Sequence, residues 1–392
     1  MTSDDKYGGV RVVRVVQVVT SDLRAELRAW LAANPPPTTE TATTGAAADT
    51  LREWQRTLHA AGWVGIQWPE EYGGRGASIT QVAVYNEEMA RASAPPLLGR
   101  VGVTLVGPTL MAHGTDDQRS RWLPRILGAD DVWCQLFSEP GAGSDLAALA
   151  TRAEKSGGSY RVNGQKVWSS YATFADMAIA LVRTDPDAPS HHGISMLAIP
   201  MDARGVEVRP LRQMTGDHEF NEVFLDDVAV PIANLIGPEH GGWRVANTTL
   251  ANERGASFIW REQVLHECAL RDLEAECTRR AIGRDALVRQ RLARSWIDGE
   301  LFRLHNARTL DRLARGDEIG AESSIVKLLW AEASQRLADT AVAVLGAPDA
   351  LLQGPWAHRL LSTRANSIMG GTSEIQRNVI GERLLGLPRE PR

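Results

Sequence analysis

"WCQLFSEPGAGSD" (residues 133–145) is the stretch on which the fold turns. An apolar run gives way to a loop in which Gly141 and Gly143 are spaced as in a dinucleotide fingerprint. The third glycine position is Leu146, however, and no clear helix of a βαβ unit follows. As the signature of a doubly wound nucleotide fold, the stretch fails. Two readings remain. Either the loop's N–H groups and the Ser138 and Ser144 hydroxyls face an anionic or polar ligand, or it is an ordinary turn between strands.

Outward from that loop, the text on its C-terminal side stays β-like. "YRVNGQKVWSS", "MAIALVR", "GISMLAIPM", "VEVRPL" and "EVFLDDVAV" are short apolar or alternating runs separated by Gly, Asn, Asp and Pro. They define a β domain over residues 128–237. Residues 20–127 read as helices, beginning with a cap and helical periodicity in "TSDLRAELRAWLAA" (20–33). "NPPPTTETATTGAAAD" (34–49) reads as a mobile Pro/Thr/Ala linker. After "GPEHGGW", residues 238–392 are helical, the first helix about 25 residues or longer by its periodicity. Residues 1–19 are set apart as an N-terminal extension. Its valine-rich "GVRVVRVVQVVT" (9–20) is interrupted by Arg11 and Arg14 and reads as a loosely ordered start or a short edge strand. The order is helices, then strands, then helices, which is α+β rather than alternating βαβ.

The 392 residues are 43% hydrophobic, ample for a large core in two or three units. A net charge of −5 with scattered basic residues argues against a nucleic-acid partner. No stretch has the length and apolarity of a membrane span. Cys134, Cys268 and Cys277 lack disulfide or metal spacing, which fits a reducing cytoplasm, and the nine histidines include no HExxH pattern. No metal is expected.

Three further places carry chemistry. In "NGQKVWSS" (163–170), Asn163–Gly164 is a hairpin-turn signal, and Trp168 then falls on a strand, where packing on a sheet face is the commoner fate. Ala246, Leu250, Glu253, Ser257, Trp260 and Val264 share one helix face. Glu253 lies in the middle of that mostly apolar face, so its carboxylate must be paired within the bundle or have its pKa raised toward that of a general base. In "SIMGGTSEIQRNVIGE" (367–382), Ser373 and Gln376 have capping-box spacing, and Glu374 would sit in the first turn. Gly370 and Gly371 before them imply that something approaches this backbone closely.

Together, "GWVGIQWPEEYGGRGAS", "FSEPGAGSD", "NGQKVWSS", "RPLRQMTGDHEFNEVFLDDVAVP", "GW…ANER" and "GGTSEIQR" resemble the acyl-CoA dehydrogenase family, in the family's order and across residues 20–390. The likeness is greatest to the actinobacterial branch, which includes subunits acting on CoA thioesters of bulky acids such as steroid side chains. It implies an N-terminal helical domain, a central β-barrel-like domain and a C-terminal four-helix bundle. It also implies FAD and oxidation of an acyl-CoA thioester to its 2,3-enoyl form, a base taking the α-proton while the β-hydrogen leaves as hydride to flavin N5. Carried over by motif, Phe137 and Ser138 lie against the isoalloxazine ring. Gly143 and Ser144 approach the cofactor phosphates and the substrate's pantetheine. Trp168 covers the flavin's other side with Ser170 near N5, and Thr372 and Glu374 contact FAD. Arg284 matches an arginine that reaches a neighbouring subunit's FAD.

The base depends on the branch. Many members place a glutamate where this chain has Gly370. Another branch places it on the first helix of the C-terminal bundle before an arginine, which matches Glu253–Arg254. The resemblance therefore assigns Glu253 as base, Arg254 to organising the site or binding substrate, and the Gly370 N–H to the thioester oxygen. The implied electron acceptor is an electron-transfer flavoprotein. The family's QxxGGxG stretch reads "VAVLGAPDALL" (342–352), so a heterotetramer with a related subunit stands beside a homotetramer. Two other functions share the fold: a flavin-dependent oxidase or monooxygenase of secondary metabolism, and a weakly catalytic partner subunit.

Overall fold

The computed structural model describes residues 8–39, 44–253, 256–317, 319–346 and 354–389. The chain opens with helices α1 (Gly8–Ala33), α2 (Gly45–Ala60), α3 (Ile79–Arg91), α4 (Gly107–His113) and α5 (Asp116–Leu127). Strands follow: β1 (Trp133–Leu136), β2 (Arg152–Ser156), β3 (Ser159–Ser170), β4 (Met177–Arg183), β5 (Ile194–Pro200), β6 (Val206–Pro210), β7 (Phe220–Pro231) and β8 (Leu235–Ile236). The chain ends in α6 (Gly242–Glu253), α7 (Ala256–Arg279), α8 (Ala286–Ala314), α9 (Ser323–Leu345), α10 (Pro355–Ser362) and α11 (Ser373–Val379). The expected order of helices, sheet and helices is present. Two compact units divide it: residues 1–36, 77–94 and 254–392 form one, and 37–76 with 95–253 form the other.

In the sheet unit, β4 and β5 are mostly apolar runs with both faces covered; six consecutive residues of each are buried, Ser195 among them. Residues of β3 and β7 mostly alternate in and out, as in strands with one covered face. The strand order is β6-β7-β3-β2-β4-β5-β8, with β1 pairing β4 in parallel. Among the described residues β6 does not pair with β8, so the domain is an open sheet rather than a closed barrel. Its core joins Leu136, Tyr160, Val162, Ala180, Leu197 and Val223. Trp68 anchors the helices of this unit by donating from its indole N–H to the Val103 carbonyl at 3.1 Å.

The Asn163–Gly164 hairpin signal is overturned. Both residues lie inside β3, at a register shift against β7, and the tight connection is Gly157–Gly158 between β2 and β3. Glycine is needed at 164 for another reason: a Cβ there would lie 2.4 Å from the Thr151 hydroxyl. Asn163 accepts from the Asp227 N–H at 2.8 Å, tying the bulge to β7. The linker is also shorter than read. Thr44 caps α2, accepting from the Ala47 N–H at 3.2 Å, so Gly45–Asp49 are helical.

In the other unit α3 packs on α1 and α7, and α9 packs on α7, α8 and α11. Leu270, Leu273, Leu337 and Ala341 form part of the core between α7 and α9. The valine-rich segment from Gly8 onward is helical backbone continuous with 20–33, not an edge strand. No glycine or proline interrupts Val10–Ala33. Extending an existing helix adds one hydrogen bond per residue fixed, which outweighs the small helix penalty of valine.

Candidate functional site

In the sheet unit the structure brings together two of the segments singled out from sequence. The Val167 N–H donates to the Ser138 carbonyl at 2.9 Å, which places the end of β3 beside the loop leaving β1. Lys166 makes the junction rigid. It is completely buried, and its ammonium donates to the Phe137 carbonyl (3.1 Å), the Leu181 carbonyl (2.7 Å) and the Glu139 carboxylate (2.8 Å). Glu139 in turn accepts from the Ala150 and Thr151 N–H groups at 2.7 and 2.9 Å. Burial pulls the Lys166 ammonium down to about 8 against the opposing pull of Glu139. Burial pushes Glu139 the other way, but Lys166 and the N–H donors together hold it below the usual carboxylate range. Neither residue was singled out from sequence, although strand parity carried a signal. Tyr160, Val162 and Lys166 all lie on inward positions of β3, and a lysine there demands a buried acid.

Beyond Lys166 the register slips and Trp168 takes φ +63°, with Tyr171 at φ +56°. Left-handed backbone costs a non-glycine residue roughly 1–2 kcal/mol, and such strain gathers at functional sites. Here it turns Trp168 outward, 62% exposed, against Phe220 edge-on at 6.1 Å. The packing-tryptophan reading is therefore overturned. Ser170 is half-buried at the strand end. Burial pushes the neighbouring Glu219 carboxyl up, against Arg100.

In the loop itself, Glu139 and Ala142 exchange both backbone hydrogen bonds. Gly141, Gly143 and Ser144 are exposed, and a Cβ at either glycine would meet nothing within 4 Å. Neither glycine is needed to avoid a clash, and the backbone at both is open. Ser138 is half-buried, whereas the Phe137 side chain is buried in the protein. A cavity of about 380 Å³ elsewhere in this unit, near Tyr72 and Arg119, holds none of the predicted site residues.

α6 carries Ala246 buried and Leu250 half-buried, and it ends at Glu253. The Glu253 and Ser257 side chains and all of Arg254 lie outside the described residues. Trp260 and Val264 on α7 are buried, as their shared face predicts.

In the unit of C-terminal helices, Gly370 and Gly371 take φ +63° and +91°. The capping expectation shifts by one residue: Thr372, not Ser373, caps α11, accepting from the Ile375 N–H at 3.2 Å. Gln376 does not reach back to a cap N–H. Its amide donates to the Gly370 and Gly371 carbonyls at 3.1 and 3.2 Å. Lys327 on α9 donates to the Gly371 carbonyl at 2.7 Å and the Asn366 carbonyl at 2.9 Å. Sequence reasoning missed both roles; Lys327 is 44 residues from its acceptor and leaves no local pattern. Glu374 is exposed, 3.9 Å from Arg377. Arg284 is exposed just before Asp285, which caps α8. Among the described residues no His, Cys, Asp and Glu cluster could hold a metal ion, and no helix is long and apolar enough to cross a membrane.

Three protein-family descriptions match this chain: "Acyl-CoA dehydrogenase, N-terminal domain" over residues 20–130, "middle domain" over 134–228 and "C-terminal domain" over 240–385. The acyl-CoA dehydrogenase IpdE1 of Mycobacterium tuberculosis is 41% identical over 386 residues, covering 94% of this chain and 98% of the relative. A solved structure described as the Tcur3481-Tcur3483 steroid ACAD superposes with a TM-score of 0.85 at 32% identity, covering 95% of this chain and 98% of that one. The ChsE4-ChsE5 complex from Mycobacterium tuberculosis gives a TM-score of 0.81 at 32% identity, covering 94% and 98%.

Proposed function

Because the chain belongs to the acyl-CoA dehydrogenase family, we propose that it oxidises a CoA thioester of a bulky, steroid-derived acid to its 2,3-enoyl form, with FAD as cofactor and Glu253 as base. The observation that supports the cofactor is the pair of segments locked by Lys166: an open glycine loop beside an exposed Trp168 held in strained backbone. Ser138, Gly143, Ser144, Trp168 and Ser170, with Thr372, Glu374 and an Arg284 from a neighbouring subunit, are the residues that would hold it. When bound, FAD supplies the two-electron acceptor for the β-hydrogen, which leaves as hydride.

The rest falls to the chain's own groups. An α-proton is too weakly acidic for a carboxylate unless the thioester carbonyl is polarised, so a donor must face the oxygen where negative charge develops. The Gly370 N–H is that donor, and its lack of a side chain leaves room for a base from elsewhere in the chain. The Glu253 carboxylate takes the α-proton, and Arg254 organises the site or binds substrate.

Likeness to a structure described as a steroid ACAD supports the acyl class. Descriptions that name two chains each support a heteromer with a related subunit over a homotetramer. An electron-transfer flavoprotein is the proposed acceptor. The test is anaerobic mixing of the flavin-loaded protein with a panel of CoA thioesters, steroid-derived ones included, read by flavin bleaching. Glu253→Gln should retain FAD and abolish bleaching; wild-type bleaching removes Glu253 from the mechanism. Rapid reoxidation by oxygen with a hydroxylated product overturns the dehydrogenase reading.

A further inference from the structure

Two consecutive glycines in left-handed backbone form a turn with little conformational preference of its own, yet the carbonyls of Gly370 and Gly371 are both tethered by side chains. Gln376 holds both through its amide, and Lys327 holds that of Gly371 and also that of Asn366. Gln376 is fully buried and, among the described residues, its Oε1 has no partner, so its orientation is set by these two acceptors. On the other side of the turn, the Ile368 and Met369 N–H groups both donate to the Ala365 carbonyl at 2.9 Å. Gly370 is thus fixed from both ends. The glycine at 371 follows from the same tether, since a Cβ there would lie 2.7 Å from the Gln376 amide nitrogen.

We propose that Lys327 and Gln376 are positioning residues for the reaction: by tethering the Gly370 and Gly371 carbonyls, they fix the turn from which the Gly370 N–H is presented to the thioester oxygen. This rests on the reading above that the turn's backbone receives that oxygen. All peptide bonds described are trans, so each N–H points opposite the carbonyl of its own peptide unit. Holding the Gly370 carbonyl toward Gln376 sends the Gly371 N–H away from it. Holding the Gly371 carbonyl toward Lys327 does the same for the Thr372 N–H. Lys327 reaches this place on a half-buried stem; burial pulls its ammonium down, and Glu374 opposes that pull.

Lys327→Met keeps the stem and removes the donor. It should leave flavin content and thioester affinity near wild type while lowering kcat on the order of 10- to 100-fold, the cost of a misplaced catalytic contact. Lys327→Arg, which retains a donor, should recover part of the loss. A second readout separates positioning from folding. The 2-enoyl-CoA product of the thioester that bleaches the wild type, labelled with carbon-13 at its carbonyl, is bound to each protein and read by isotope-edited infrared difference. The wild-type carbonyl band should move to lower frequency on binding, and Lys327→Met should lose part of that shift. Gln376→Leu tests the same turn should Lys327→Met not fold, with the same expected loss. A shift and a kcat at wild-type values in either variant overturn the tether. A wild-type carbonyl that does not shift at all overturns the reading of the turn as donor, and the tether with it.

Discussion

Replacing Lys166 by methionine should be among the most damaging single changes in the sheet unit, and the damage should grow with pH. The lysine is fully buried and supplies three hydrogen bonds, to the carbonyls of Phe137 and Leu181 and to the carboxylate of Glu139. Methionine fills most of the stem's volume, so little of the effect is cavity. What remains is a buried Glu139 that still accepts from two N–H groups but has lost its countercharge, together with two buried carbonyls that have lost a donor. Breaking a buried ion pair by removing one partner costs about 3–5 kcal/mol.

The pH dependence has a definite sign. In the wild type the Glu139 carboxyl is held below its ordinary value, so its contribution is present at neutral pH and is lost as pH falls through the depressed value. In the variant the charge that depressed it is gone while burial remains, which favours the protonated acid. The variant is then hurt most where Glu139 must stay ionised. Urea unfolding followed by circular dichroism at pH 5 and pH 7.5 checks this, with the larger difference from wild type expected at pH 7.5. The double variant Glu139→Gln/Lys166→Met should recover at least ~1 kcal/mol relative to Lys166→Met, because it no longer buries a charge. A single-variant loss below ~1 kcal/mol, or one that is flat with pH, would refute the argument.

Three further outcomes are expected. Burial first, then Arg359, pulls the His266 imidazole down to about 4, with Ser295 and Asp298 opposing; stability should therefore fall as pH drops from about 6.5 to about 4, by roughly 3 kcal/mol at ~1.36 kcal/mol per unit, and thermal melts of His266→Leu should show a shallower acid limb. Gly107→Ala puts a Cβ 2.0 Å from the Trp68 ring and should cost about 3 kcal/mol by overpacking, although alanine is otherwise the better helix former; a neutral or stabilising result in urea titration refutes the packing. Trp168→Ala removes an exposed side chain and should change stability by less than about 1 kcal/mol, while flavin dissociation, followed by fluorescence, should rise roughly tenfold if the ring covers the cofactor.

The features that sequence revealed are those written in short-range periodicity. β4 and β5 were legible because a short, mostly apolar run without alternation must be buried on both faces. The burial of Trp260 and Val264 was legible because helical spacing alone places those two residues on one face of α7. Asn163–Gly164 misled because the signal is local and its cause is not. A tight turn and a close approach by another segment both demand glycine, and only the position of Thr151 tells them apart. The two glycines before α11 pose the same problem. Read locally, they precede a capping box, and the box expects Gln376 to serve the helix start. The fold gives Gln376 to the turn instead, where it shares the Gly371 carbonyl with Lys327 from a different helix. Gln376 holds both carbonyls, and Lys327 adds a second, charged hold on that of Gly371. Both together define a direction, which a backbone N–H needs before it can act on a substrate oxygen rather than on water.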